Sequence, residues 1–376
     1  MPLSRVFLSP GLFGFQRIGS YDYFSHVEAG IRRRFRDAGR EVDVHVVDVH
    51  PTASIRRRAA KLAAEIDMWD VGEGPIHLVG HSTGGLDARL IASPSVNLAA
   101  WSKRDIWVDR IRSITCVSSP HYGTPLASFF ATMSGQRLLY ALSALTVAAL
   151  KLGAPPLAIS SSLVAAVGGI DHALGIQLRL IDNLSDRIVR VLDNASSNEL
   201  RDYLRLLRDD QGAIIQLSPE SMDLFQAGVE DNPNVYYQCA VSYAPKPGVL
   251  HWAKAALSPW ANVSAPIFAT LNRLTSLENE DYPCAPQDGT ADRLLNAALG
   301  HTPPPAANDG VVPIRSQIWG RIIWAGMADH LDVVGHYTGG SGDKTHVDWL
   351  SSGAGFNHKR FDTMLDAIVS GLFRSE

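Results

Sequence analysis

Short apolar runs and stretches of helical spacing take turns over the first 125 residues. Arg5 to Ser9 reads as a buried strand, followed by a loop carrying Gly11 and Gly14. Phe24, Val27, Ile31 and Phe35 then share one helical face, and Gly39 stands where a C-terminal cap belongs. Glu41 to Val49 alternates as a strand. Helical spacing returns in Ile55, Ala59, Leu62, Ile66 and Trp69, with Ser54 suited to the N-cap. Ile76 to Val79 is all apolar, as a central parallel strand is, and Ile111 to Val117 supplies another strand. This βαβαβ alternation predicts a mostly parallel sheet flanked by helices.

From Leu126 to Asn232 the pattern becomes helical with no convincing strand, and strand signals return at Val235 to Tyr243 and Gly320 to Trp324. The expected organisation is a core formed by residues 1–125 and 233–376, interrupted by a helical insertion at 126–232. Within it, Leu138 to Ile170 has Lys151 as its only charge. It is not read as a membrane span, because Leu138 to Leu150 is too short and Gly153, Pro155, Pro156, Gly168 and Gly169 break any continuing helix. An apolar surface of that size needs a cover. A lid folded over an apolar pocket is the functional expectation, and a simple extension of the core is the alternative. The Pro-, Asp- and Ala-rich stretch 280–310 reads as an irregular loop.

Composition narrows the class. With 34 basic and 38 acidic residues, the net charge of -4 offers no field for polyphosphate, so nucleic acid is not an expected partner. Cys116, Cys239 and Cys284 lie far apart, which leaves no disulfide framework or cysteine zinc site and makes free thiols the expectation. The opening MPLSRVFLSPGLFGF shows no basic leader before an apolar run, so a cytoplasmic location is expected for the chain as written, with secretion if a leader precedes it. Arg32, Arg33, Arg34 and Arg36, with Arg56, Arg57 and Arg58, read as the solvated faces of two helices rather than an anion site.

The chemistry concentrates around Gly80-His81-Ser82-Thr83-Gly84-Gly85, which lies directly between the Ile76 to Val79 strand and a helix beginning near Leu86. A strand-to-helix elbow holds a serine in a strained conformation above a sheet, and flanking glycines let the turn close. A serine hydroxyl needs a base, and the base needs a group that fixes its tautomer. Of His330, His336, His346 and His358, His330 is best placed, in the loop after the Gly320 to Trp324 strand. Asp309 in Asn308-Asp309-Gly310 precedes it by 21 residues and preserves the order nucleophile, acid, base. Asp329 and Asp332 are rivals for the acid. The backbone N–H groups of Thr83 and of Leu12, with Phe13 as the alternative to Leu12, are the expected oxyanion donors. His121 in SSPHYGT is assigned a turn-stabilising role.

The set SPGLFGF, DYF, LVGHSTGGLDAR, SSPHYGTPLA, NDGVVP and DHLDVVGHY resembles the bacterial true lipases, the calcium-containing α/β-hydrolases typified by pseudomonad triacylglycerol lipases. The similarity covers roughly residues 3–130 and 305–340. It departs from the family where Pro10-Gly11 replaces the usual His-Gly, in lacking a cysteine near the acid, and in a longer insertion. The resemblance implies an α/β-hydrolase fold with a helical lid, Ser82, Asp309 and His330 as the triad, and Leu12 and Thr83 as the oxyanion hole. It further implies a structural calcium held by Asp332, the carbonyls of His336 and Gly340, and a carboxylate from before the acid. Asp288 is best spaced for that carboxylate, with Asp281 and Asp292 as rivals.

The expected activity is hydrolysis of medium- to long-chain acyl esters, with no organic cofactor and a hydrophobic ester, at a lipid–water interface, as the partner. An acyltransferase or thioesterase on the same triad, an esterase of aliphatic polyesters, and a non-catalytic lipid-binding protein are the alternatives.

Overall fold

A computed structural model describes residues 2–12, 17–18, 21–69, 72–98, 103–132, 135–136, 139, 205–206, 210–249, 251–252, 261–277, 280–338 and 348–376. In chain order the strands are β1 (Ser4–Ser9), the short antiparallel pair β2 (Arg17–Ile18) and β3 (Tyr21–Asp22), β4 (Val42–Val46), β5 (Ile76–His81), β6 (Ile111–Val117), β7 (Tyr236–Tyr243) and β8 (Arg321–Met327). Six form one sheet in the order β4-β1-β5-β6-β7-β8, and every neighbouring pair is parallel. All six were foreshadowed by the apolar runs, although β4 is shorter than the alternation Glu41 to Val49 suggested.

The sheet is buried on both faces because successive side chains of a strand point to opposite sides. Val6 and Leu8 of β1 enter an apolar layer with Ile31 and Phe35 of α1 (Ser25–Asp37) and Leu365 and Ile368 of the C-terminal helix His358–Ser375. Phe7 enters the opposite layer with Leu62 and Ile66 of α2 (Ile55–Trp69) and Leu86 and Ile91 of α3 (Thr83–Ala92). Ser54 does cap α2, its hydroxyl accepting the Arg57 N–H at 3.3 Å.

Two sequence expectations need correction, and one helix was not anticipated. The stretch 280–310 contains the helix Thr290–Leu299, whose Ala291 and Leu295 are buried four residues apart on one face. The C-terminal helix His358–Ser375 has no counterpart in the pattern read from the chain. Arg58 is fully buried rather than solvated. Arg33 and Arg34, by contrast, pair with Asp362 at the protein surface.

Of the insertion, the described parts include the helices Pro125–Phe130, Gly212–Gln216 and Pro219–Gly228. The Leu217 carbonyl accepts the Thr124 N–H at 3.0 Å and Gln216 Oε1 accepts the Ile55 N–H at 2.7 Å, which joins its return to the core. Leu139 apart, the expected lid at Leu138 to Ile170 lies outside the described residues. Among the described residues no helix is long and apolar enough to cross a membrane.

Candidate active site

The elbow forms where β5 runs into α3. Ser82 has φ 54° and ψ -125°, a conformation that costs a non-glycine residue about 1–3 kcal/mol and is held here by its surroundings. Its N–H is donated to the Val117 carbonyl at 2.8 Å. Gly84 is required by close approach, since a Cβ there would stand 2.1 Å from the Ser9 carbonyl oxygen. Gly11 is required by the same logic on the far side of the serine, where a Cβ would fall 2.7 Å from Ser82 Cβ. The β1 loop therefore passes directly over Ser82, and Leu12 comes next in that loop. Thr83 opens α3, where the first N–H groups of a helix have no partner within it.

His330 follows β8 and Asp309 lies in the turn before the short helical turn Ile314–Gln317. His330 Nδ1 lies 2.8 Å from Asp309 Oδ2, and the His330 N–H is donated to the Asp309 carbonyl at 3.0 Å. Asp309 is fully buried, and its Oδ1 accepts the N–H groups of Val311 and Val312 at 2.9 and 2.7 Å. A carboxylate so placed fixes the proton on Nδ1 and leaves Nε2 as the basic nitrogen. Neither rival carboxylate takes that place. Asp329 Oδ1 accepts the N–H groups of Leu331 and Asp332, and Asp332 Oδ2 accepts that of Asp329.

His81, next to the serine, joins the two halves. Its Nε2 lies 2.9 Å from the His330 carbonyl oxygen and its Nδ1 lies 2.6 Å from the Tyr23 hydroxyl. Only a protonated Nε2 can satisfy a carbonyl, so Nδ1 accepts from Tyr23. Burial, reinforced by the neighbouring His330, holds the His81 imidazole well below its ordinary range and therefore neutral. The two imidazole rings stand 4.6 Å apart.

Several supporting residues have roles that no motif in the sequence announces. Arg58 pairs with Asp87 at 2.9 Å, both fully buried, and also donates to the carbonyls of Pro10 and His50. Ser9 donates its hydroxyl to Asp87 at 3.1 Å. Burial raises Asp87 to about 6 although Arg58 pulls the other way. Spacing carried the signal for Arg58, which lies three residues after Ile55 and four before Leu62 and so shares their apolar face. Gln317 and the second strained serine, Ser118 with φ 49°, had no comparable signal.

The calcium set fares differently. Asp332 is buried beside Asp329, with Asp348 near both; burial pushes all three carboxyls up, and charge repulsion adds to it at Asp329 and Asp332. Asp288 does not join them, because it is exposed and its carboxylate accepts the N–H and hydroxyl of Thr290. The His336 ring faces Tyr23 and His26. Gly340 and Phe13 lie outside the described residues. Among the described residues no three His, Cys, Asp or Glu side chains are grouped to hold a metal ion. His121 is buried in its turn, its N–H donated to the Ser316 carbonyl at 2.9 Å, against Arg89 and Trp319.

No protein-family model matches the chain. Over 124 residues it is 33% identical to a triacylglycerol lipase of Pseudomonas fragi, a stretch that is 32% of this chain and 36% of the relative. A triacylglycerol lipase of Vibrio cholerae is 30% identical over 124 residues, 34% of its own length. The chain thus matches about a third of the length of these curated relatives. A lipase of Staphylococcus hyicus superposes with a TM-score of 0.50 at 16% identity, covering 99% of this chain and 96% of that one. The chain thus has an α/β-hydrolase fold and, over those 124 residues, is similar in sequence to bacterial triacylglycerol lipases.

Proposed function

We propose that the protein is a serine ester hydrolase, a lipase or carboxylesterase acting on medium- to long-chain acyl esters presented at a lipid–water interface. The observation that carries this reading is the buried Asp309 carboxylate 2.8 Å from His330 Nδ1, in a loop bonded through His81 to a strained serine elbow. In the proposed cycle Ser82 Oγ attacks the ester carbonyl carbon while His330 Nε2 takes its proton. The N–H groups of Thr83 and Leu12 receive the developing oxyanion. Collapse breaks the bond to the alcohol, which leaves with the proton from His330. Water, deprotonated by His330, then attacks the acyl-Ser82 ester and releases the acid. The insertion 126–232 is proposed to cover the acyl site.

A calcium ion would hold the loop bearing His330, with Asp332 as its carboxylate donor, while Asp288 stands exposed and bonded to Thr290. The Asp332 carboxyl, buried beside that of Asp329 and with its proton affinity raised, suits a hard cation that takes oxygen ligands.

A fluorophosphonate should label Ser82 covalently, and initial rates on p-nitrophenyl esters from C2 to C16 should rise with chain length. An unlabelled serine, or product analysis showing only acyl transfer to added alcohols, would overturn the hydrolase reading.

A further inference from the structure

Gln317 is fully buried at the end of the Ile314–Gln317 turn, and its amide meets the sheet and the candidate acid together. Its Oε1 accepts the Ser242 N–H at 2.7 Å and its Nε2 donates to the Ser242 carbonyl at 3.0 Å. Because both backbone groups of one β7 residue are read at once, turning the amide over would set donor against donor and acceptor against acceptor. The remaining Nε2 hydrogen is shared between Asp309 Oδ2 at 3.2 Å and the Val312 carbonyl at 3.1 Å. Ser242 is itself tied to the end of β6 through a 3.0 Å contact between its hydroxyl and that of the strained Ser118.

We propose that Gln317 is a positioning residue for Asp309: its amide, locked to the end of β7, holds the same carboxylate oxygen that receives the His330 Nδ1–H. The inference rests on the reading of Ser82, Asp309 and His330 as a triad. Asp309 Oδ1 is already occupied by two backbone N–H groups of its own turn. Gln317 is what ties Oδ2 to the sheet, since its other partner is the loop carrying the histidine. Without the amide the carboxylate is anchored through Oδ1 in its own turn alone, so the plane it presents to the imidazole loosens and with it the alignment that an acid must supply to act through it.

The test compares Gln317→Leu and Gln317→Glu in the wild-type chain and in an Asp309→Asn background, on one soluble p-nitrophenyl ester. In the wild type, Gln317→Leu should lower kcat roughly 10-fold with KM within about twofold, the size expected for a lost hydrogen bond to a charged group. Gln317→Glu, which sets a carboxylate against Asp309, should lower it by about 100-fold. In the Asp309→Asn background neither should cost more than about twofold, because both act through the acid. A residue that merely packs the turn would give equal losses in the two backgrounds, and that result, or an unchanged kcat in folded variants, would overturn the inference. Should Gln317→Leu fail to fold, the near-isosteric Gln317→Glu carries the comparison, with circular dichroism and Tm recorded for each. Labelling of Ser82 in the wild type separates the two failures. A labelled wild type with indifferent Gln317 variants removes this inference alone, whereas an unlabelled wild type removes the triad and the inference with it.

Discussion

Arg58 is the residue whose loss should be felt most widely. Its guanidinium and the Asp87 carboxylate are both fully buried, 2.9 Å apart, and no water can replace the partner that is removed. Truncating one side of such a pair leaves a buried uncompensated group and typically costs about 3–5 kcal/mol. For a 376-residue chain the entropy of unfolding is about 0.8 kcal/mol/K, so Arg58→Met should lower Tm by about 4–6 °C if the chain unfolds in one step. The double variant Arg58→Met with Asp87→Leu removes both charges and should recover most of that loss. Activity should separate from stability. The Pro10 carbonyl, just before the Gly11 that crosses Ser82, keeps its Arg58 donor only in the wild type, so the double variant should regain Tm and remain slow. Differential scanning calorimetry beside initial rates at 25 °C decides the matter. A Tm loss under 1 °C for Arg58→Met, or a double variant no more stable than the single one, would refute the reasoning.

Ser82→Ala and His330→Ala should each lower kcat by roughly 10³-fold or more, and the double replacement should cost little beyond either single one; near-additive losses would break the triad apart. His336→Ala should be far milder. Burial, with Arg40 and Arg112 nearby, lowers His77 to about 3, below its unfolded 6.5. The unfolded chain therefore takes up a proton that the native state refuses, and this contribution to stability is complete above pH 6.5 and lost as pH falls toward 3. His77→Asn should flatten the dependence of unfolding free energy on pH by about 1.4 kcal/mol per unit between pH 6 and 4, measured by urea titration, and an unchanged slope would mean His77 is charged in the fold. Prolonged EDTA should lower Tm with rescue by calcium but not magnesium, Asp332→Ala should remove that sensitivity and Asp288→Ala should not. Elemental analysis finding no calcium in untreated protein would end the calcium proposal.

The sheet, the elbow and the pairing of Asp309 with His330 could all be read along the chain, because each depends on local periodicity or on a short motif in a fixed order. Ile76 to Val79 had to be a strand and the stretch from Leu86 a helix, and a serine between them with glycines on both sides marks a strand-to-helix elbow. Asp309 stood out from Asp329 and Asp332 because adjacent residues rarely turn a carboxylate back on the imidazole beside them. What escaped depends on contacts between distant segments. Asp288 was chosen by spacing in the chain, but the chain carries it to the surface and brings Asp348 toward Asp332 instead. Arg58 meets Asp87 across 29 residues, Gln317 meets Ser242 across 75, and the His81 ring meets the His330 carbonyl across 249. Hydrophobic period says which face of an element is buried, and nothing in it says which polar group will be waiting there. That choice is made when helices and loops pack, since a buried charge or amide is tolerated only where its partner arrives from another part of the chain.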